Sequence, residues 1–357
     1  MEPSEIITWL RENDPPRLAE LWRRADDVRR CCVGDEVHLR GLIEFSNHCV
    51  RRCAYCGLRA PNRSVSRYRM SEEEILACAR RAVAFGYGTV VLQSGEDPHT
   101  DTQWMAGLIR EIKAETPLAV TLSVGERSGD DLAAWREAGA DRYLLRFETS
   151  NRALYDRIHP PRPDQARSDR LALLGKLREL GYEVGSGVMI GIPGQTYDDL
   201  ARDVALFAQL DLDMIGSGPY LAHPDTPLGS GEPGGVASGD DQVPADELTA
   251  YKVIALTRLV CPRANVPSTT ALATLNAADG RELGLVRGAN VVMPNLTPAR
   301  YRTWYEIYPG KACVHETAEH CHVCLRGRIE SIGRRVGNGR GDSPNYLRRR
   351  EPAATSP

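Results

Sequence analysis

The stretch "TVVLQSGEDPHTDTQWMAGLIREIKAETPLAVTLSVGE", Thr89 to Glu126, decides the fold. Two short runs within it, "TVVLQSG" and "LAVTLSVG", are apolar and rich in β-branched residues, the pattern of buried strands. Between them "TQWMAGLIREIKAE" carries apolar residues at helical spacing and opens beside Asp and Thr, which suit a helix N-cap. Strand, helix and strand in this order, with little antiparallel signal, predict a parallel β–α–β unit. The polar clusters "QSGED" and "SVGE" stand where its strands end.

The alternation continues outward in both directions. Further strand-like runs are "VHLRGLIEFS", "RYLLRFE", "YEVGSGVMIGI", "DMIGSGPYL", "NVPSTT" and "ANVVMP". Helix-like runs include "SEEEILACARRAVAFG", "SDRLALLGKLRELG", "TYDDLARDVALFAQL" and "DELTAYKVIALTRLV". Ser71 with Glu74 has the capping-box pattern, and Gly86 and Gly181 stand where helices should stop. So many repeats exceed the usual open sheet, so the expected class is α/β, a complete (β/α)8 barrel of the TIM type. A doubly wound open sheet is the alternative. Chemistry in a barrel sits at the C-terminal ends of strands, and "SNHC", "QSGED", "SVGE" and "FETS" all fall there. The expected organisation is an N-terminal helical extension (1–36), the barrel (37–300), a C-terminal cap (301–332) and a tail (333–357). The tail is basic, rich in Gly and Pro and almost without large aliphatics, so disorder is expected there. Residues 223–241 read as a long loop.

Composition narrows the function. The 357 residues carry a formal net charge of −3, so no global field draws nucleic acid or an anionic membrane. The N-terminus lacks a basic segment followed by an apolar run, and no stretch approaches the roughly 18 apolar residues of a span. The expectation is a cytoplasmic protein without nucleic-acid or membrane partners. Its ten cysteines are then not naturally disulfides. Cys31, Cys32 and Cys78 read as structural; two trios, Cys49/Cys53/Cys56 and Cys313/Cys321/Cys324, read as ligand sets.

The first trio has the spacing C-x3-C-x2-C on a loop after a strand. Zinc would need a fourth ligand, which the adjoining His48 could supply. A cubane iron–sulfur cluster has another use for three thiolates: they hold three irons and leave the fourth open to an exogenous ligand. This spacing, with aromatic Tyr55 before the last cysteine at a barrel mouth, resembles the radical S-adenosylmethionine superfamily. The segments "GLIEFSNHCVRRCAYCGLRAPNRSVSRYRMSEEEI", "VVLQSGEDP", "DRYLLRFETSN", "GVMIGIPGQT", "IGSGPYLAHPDTPL", "VPSTTALAT", "GANVVMPNLTP" and "YPGKACV" are more specifically similar to the HydE family, FeFe-hydrogenase maturases. That likeness spans about Val37–Ile332.

The resemblance implies a function. It implies reductive cleavage of S-adenosylmethionine to a 5′-deoxyadenosyl radical during assembly of the hydrogenase diiron subsite. The implied substrate is a small iron–carbonyl–cyanide–cysteine complex, attacked at sulfur or otherwise freed of its carrier, with HydG and HydF as partner maturases and ferredoxin or flavodoxin as reductant. Carried onto this chain, Cys49, Cys53 and Cys56 would hold a 4Fe-4S cluster. Gln93, Ser94, Gly95, Glu96, Thr121, Arg146, Glu148, Arg170 and Ile192 would bind the cofactor, with Arg167 able to replace Arg170. Arg146, Glu148, Met214 and Tyr305 would be catalytic, and His223, Thr269 and Thr270 would anchor substrate. The second trio would hold a second iron–sulfur cluster, with His315, His320 and His322 nearby; zinc or free thiols are the alternatives. Biotin synthase is a rival, although the interior strand-like runs "RYLLRF", "YEVGSGVMIGI" and "MIGSGPYL" lack cysteines for a sacrificial cluster. Methylornithine synthase-like mutases share the core and need no second cluster. An iron–sulfur electron carrier or scaffold would instead have closed four-ligand sites.

Overall fold

A computed structural model of the chain describes residues 1–161, 167–231, 239 and 241–351. The ten strands are β1 (Glu36–Ser46), β2 (Thr89–Ser94), β3 (Ala119–Ser123), β4 (Arg142–Leu144) and β5 (Glu183–Ser186), then β6 (Met189–Ile190), β7 (Met214–Ile215), β8 (Gly218–Pro219), β9 (Val291–Val292) and β10 (Arg335–Val336). The main sheet is parallel throughout and follows β10-β1-β2-β3-β4-β5-β7, with β9 also on β1. β6 and β8 form a separate parallel rung.

The regular strands thus curl into a half-barrel, where a complete barrel of eight regular strands was expected. Among the described residues only single parallel bridges, Met214 with Asn265 and Pro267 with Val291, run from β7 towards β9. Local chemistry explains the thin pairing. Pro267 has no N–H to give a ladder. The expected strand "YEVGSGVMIGI" is split between β5 and β6, where a side chain at Gly187 would meet the Gly216 carbonyl oxygen at 1.9 Å.

Alternation along β1 sorts its side chains. Val37, Leu39, Ile43 and Phe45 join the main apolar core under the helices, whereas Arg40 and Glu44 lie inside the curl. Each fully buried aliphatic such as Ile43 contributes about 1.5–3 kcal/mol. The helix Glu72–Ala84 starts with the expected Ser71–Glu74 capping box and buries Cys78; the chain then turns at Gly86 with φ +74°. The N-terminal extension is two helices, Pro3–Arg11 and Pro15–Val33. No described helix is long and apolar enough to cross a membrane.

The tail expected to be disordered is ordered over its described part, 333–351; residues 352–357 lie outside the described residues. β10 pairs with β1, and the chain then crosses the N-terminal end of the strands into the helix Pro344–Arg350. Thr89 Oγ1 and Arg142 Nη2 donate to the Arg340 carbonyl, while Arg40 Nη2 and Asn265 Nδ2 donate to that of Gly341. Arg142, fully buried, pairs with Glu183 and Asp342. The Ser343 N–H donates to Glu183 at 2.9 Å. This strap is held by polar groups inside the barrel, so its low aliphatic content was a poor guide. The 223–241 loop contains one short helix, Pro227–Ser230, and residues 232–238 and 240 lie outside the described residues.

Candidate active site

β1 runs into the loop that carries the first trio, and neighbouring loops hold it at several points. Gly95 N–H donates to the Ser46 carbonyl, Val50 N–H to Glu96, Ala54 N–H to Ile158 and Gly57 N–H to Ile307. Two glycines are required by space. A side chain at Gly95 would lie 2.3 Å from the His48 carbonyl oxygen, and one at Gly57 would strike the Glu306 carbonyl and the His223 ring. Cys53 is buried, with Cys49 and Cys56 half-buried. Burial raises all three thiols, Cys56 to about 12. Such thiols keep their protons until a cation replaces them. Among the described residues no group of three or more His, Cys, Asp or Glu side chains forms a single-ion site.

A polar wall faces this loop. Glu148 adopts the left-handed conformation at φ +65°, unusual for a residue with a side chain and of the kind found at functional sites. Its Oε1 accepts from Tyr55 Oη at 3.2 Å, and its Oε2 lies 2.9 Å from Arg146 Nη2 in an ion pair without good hydrogen-bond geometry. Tyr55 Oη is also 3.0 Å from Nε2 of buried His159. Arg146 Nη2 donates to the Val188 carbonyl, and its Nε has no partner among the described residues. Thr121 Oγ1, Ser217 Oγ and Tyr220 Oη are likewise buried without partners among the described residues. Buried polar atoms are normally satisfied. A set of them in the barrel region fits a polar ligand such as S-adenosylmethionine. Ile192 packs with Leu154, Ile158 and Met189 against Tyr55 and Tyr220 in a small apolar cluster beside the cysteine loop.

Other expected residues have different surroundings. Gln93 Nε2 donates to Tyr305 Oη at 3.3 Å, so these two stand together. Ser94 Oγ donates to the Gly95 carbonyl. Glu96, whose pKa burial raises, accepts from Glu126 N–H and faces Arg51 Nε at 3.7 Å. Arg170 Nε donates to Glu126 and its Nη1 to the Arg146 carbonyl, so it acts as a strut. Arg167 pairs with Asp156 instead. Met214 sits in the lower barrel, its Sδ accepting from Arg40 Nη1 at 2.7 Å. His223 packs beneath Gly57, 3.6 Å from Glu306. Thr269 caps the helix Thr270–Leu275 and lies beside Gly218; Thr270 opens that helix.

In the second trio, both Nη atoms of Arg281 donate to Cys313 Sγ at 3.4 Å, and Cys313 also adopts φ +62°. A hydrogen bond from Cys321, then Arg281, lowers the Cys313 thiol to about 5, whereas Cys321 is raised. Cys321 and Cys324 share the helix Ala318–Ser331, Cys324 being exposed. His322 stacks on Phe85 and meets Tyr87 Oη, away from a ligand role; His315 and His320 are exposed. Sequence reasoning missed His159, Arg51, Glu126, Ser217 and Tyr220. Only the charges of the first three could have pointed to a network, and the two hydroxyls carry no sequence signal.

Comparison with known proteins fixes the class. Residues 43–207 match the model of the radical SAM superfamily, the stretch that begins on β1 and contains the first trio. This fold and loop are those of a radical S-adenosylmethionine enzyme. Over 329 residues, 92% of the chain and 90% of the relative, it is 48% identical to the [FeFe] hydrogenase maturase subunit HydE of Thermotoga maritima. The chain belongs to the HydE family. It is also 28% identical to 3-methylornithine synthase of Methanosarcina acetivorans, covering 77% of this chain and 74% of that one. The solved structure of methylornithine synthase (PylB) has the same fold, with a TM-score of 0.78, 24% identity and 94% of each chain covered.

Proposed function

We propose that this protein cleaves S-adenosylmethionine reductively and uses the product in assembling the diiron subsite of FeFe-hydrogenase. The observation that carries the reading is the cysteine trio on a loop whose Tyr55 meets the strained Glu148, in a chain 48% identical to a HydE maturase. Cys49, Cys53 and Cys56 would hold the 4Fe-4S cluster, and the fourth iron would be left for the cofactor. When bound, cluster and S-adenosylmethionine supply a 5′-deoxyadenosyl radical. The chain's own part is positioning and exclusion. Arg146 and Tyr55 steer the Glu148 carboxylate, which suits ribose hydroxyls or an ammonium group. Gln93 orients Tyr305, and Thr121, Ser217 and Tyr220 offer hydroxyls to the cavity. Single bridges through Asn265 and Pro267 would act as the missing stave, closing the barrel and keeping water from the reacting centre.

The finer proposals are an iron–carbonyl–cyanide–cysteine complex as substrate, HydG and HydF as partners, ferredoxin or flavodoxin as donor, and a cytoplasmic place of action. Cys313, Cys321 and Cys324 would hold a second cluster without being needed for cleavage. A second reading, a methylornithine synthase-like mutase, is favoured by the 94% mutual coverage with that fold. One experiment separates them: anaerobically reconstituted protein is added to a hydrogenase maturation mixture lacking only its HydE component. Restored hydrogen evolution is expected, with 5′-deoxyadenosine released; Cys53→Ala abolishes both and Cys321→Ala retains most. Cleavage without restored hydrogen evolution would support the mutase, and cleavage by Cys53→Ala would remove the ligand assignment.

A further inference from the structure

Arg51, Arg52, Arg59, Arg63, Arg67 and Arg69 lie on the loop from Cys49 to Arg69, which contains no Asp or Glu. Arg51 meets Glu126 at 3.0 Å and Arg69 meets Asp97 at 2.6 Å, carboxylates of other loops. Arg67 is bound differently. Its Nη1 donates to the carbonyls of Asn47 at 2.5 Å and Leu58 at 2.9 Å. Its Nη2 donates to those of Arg59 at 2.9 Å and Asn62 at 3.3 Å. Asn47 precedes the first cysteine and the other three residues follow the last, so one guanidinium ties both ends of the cysteine stretch together. Asn47 completes the knot: its Oδ1 accepts from Tyr68 N–H, and its Nδ2 donates to the Ser66 and Trp304 carbonyls.

The charge on Arg67 is also unlike its neighbours'. Among the described residues Arg67 forms no ion pair with a carboxylate; its fork is taken up by four backbone carbonyls. Carbonyls satisfy its N–H groups without cancelling its charge. A cubane on three thiolates becomes more negative on one-electron reduction, so an uncompensated cation nearby favours the reduced form.

We propose that Arg67 is a positioning residue that preforms the cysteine loop and whose charge favours cluster reduction. This rests on the cluster reading above. The test compares the full chain with Arg67→Met and Arg67→Lys. In iron-free protein, Arg67→Met should speed amide exchange over residues 47–62 by about tenfold, with the rest of the barrel unchanged. After reconstitution and photoreduction with deazaflavin, its reduced-to-oxidised ratio at a fixed potential should fall about tenfold, equivalent to about 59 mV for one electron. Arg67→Lys keeps the charge but not the four-carbonyl fork. It should restore that ratio to within about twofold while exchange over 47–62 stays fast. An unchanged ratio in Arg67→Met, or exchange accelerated evenly across the barrel, would overturn the proposal. Absence of any reducible cubane in the parent protein would instead sink the cluster reading; the iron-free exchange comparison still decides whether Arg67 pins the loop.

Discussion

A methyl group at Gly95 would lie 2.3 Å from the His48 carbonyl oxygen and 2.7 Å from Cys49 Cβ. Neither neighbour can easily retreat, because Gly95 N–H is bonded to Ser46 and Val50 N–H to Glu96. Gly95→Ala should therefore push the loop off its seat at a cost of about 1–3 kcal/mol. Reconstituted iron per chain should fall sharply while circular dichroism stays that of the parent, and retention of full iron would contradict this role for Gly95. The cysteine trio was legible in sequence because thiolate spacing is itself the chemistry. Gly95 was expected among the cofactor-binding residues, and it is also constrained by space, which no sequence pattern encodes. Arg51 and Arg67 were illegible for another reason. An arginine in a polar loop usually reads as solvated, and only the lack of any acid between Cys49 and Arg69 hints that these face something negative.

At the scale of elements, the C-terminal strap makes the clearest demand. Arg142 is fully buried and depends on Glu183 and Asp342, and Arg340 adds ion pairs to Asp141 and Asp342. Burial acts to raise the Asp342 carboxyl, but the Arg340 hydrogen bond and the charges of Arg142 and Arg340 outweigh it and hold it below the ordinary 3.8. A carboxylate with a depressed pKa gives stability that is present above the ordinary value and lost as pH falls through the folded one. Asp342→Asn should thus lower urea-unfolding stability near neutrality and flatten its decline below about pH 4. Removing residues 338–357 should cost more, about 3–5 kcal/mol, because Arg142 loses a partner it cannot replace with water. Equal acid limbs for parent and Asp342→Asn would show that the strap contributes no titrating contact. The strap escaped sequence reasoning because its anchors, Gly339 to Ser343, are backbone carbonyls and charged or polar side chains with no apolar period.

At the scale of the whole molecule, repeating strand–helix units were readable because burial on both faces of a parallel sheet writes near-continuous apolar runs. Where runs were short or interrupted by Gly and Pro, as at Gly187 and Pro267, the regular strands ended early. The molecule that results has its N-terminal end filled by the strap, while the thiol loop, Glu148 and Tyr305 belong to the other end. A ligand there should bind the native state alone and stabilise it by mass action. At a hundredfold excess over Kd that amounts to about 2.7 kcal/mol. An unfolding entropy of about 2.1 cal/mol/K per residue converts this, for 357 residues, into a rise of about 3–4 °C in Tm. S-adenosylmethionine should produce this shift by anaerobic calorimetry in the iron-loaded chain and little of it in Cys53→Ala, because the open iron supplies part of the binding energy. An equal shift in both would mean that the polar wall alone holds the cofactor, and would detach the cysteine loop from ligand recognition.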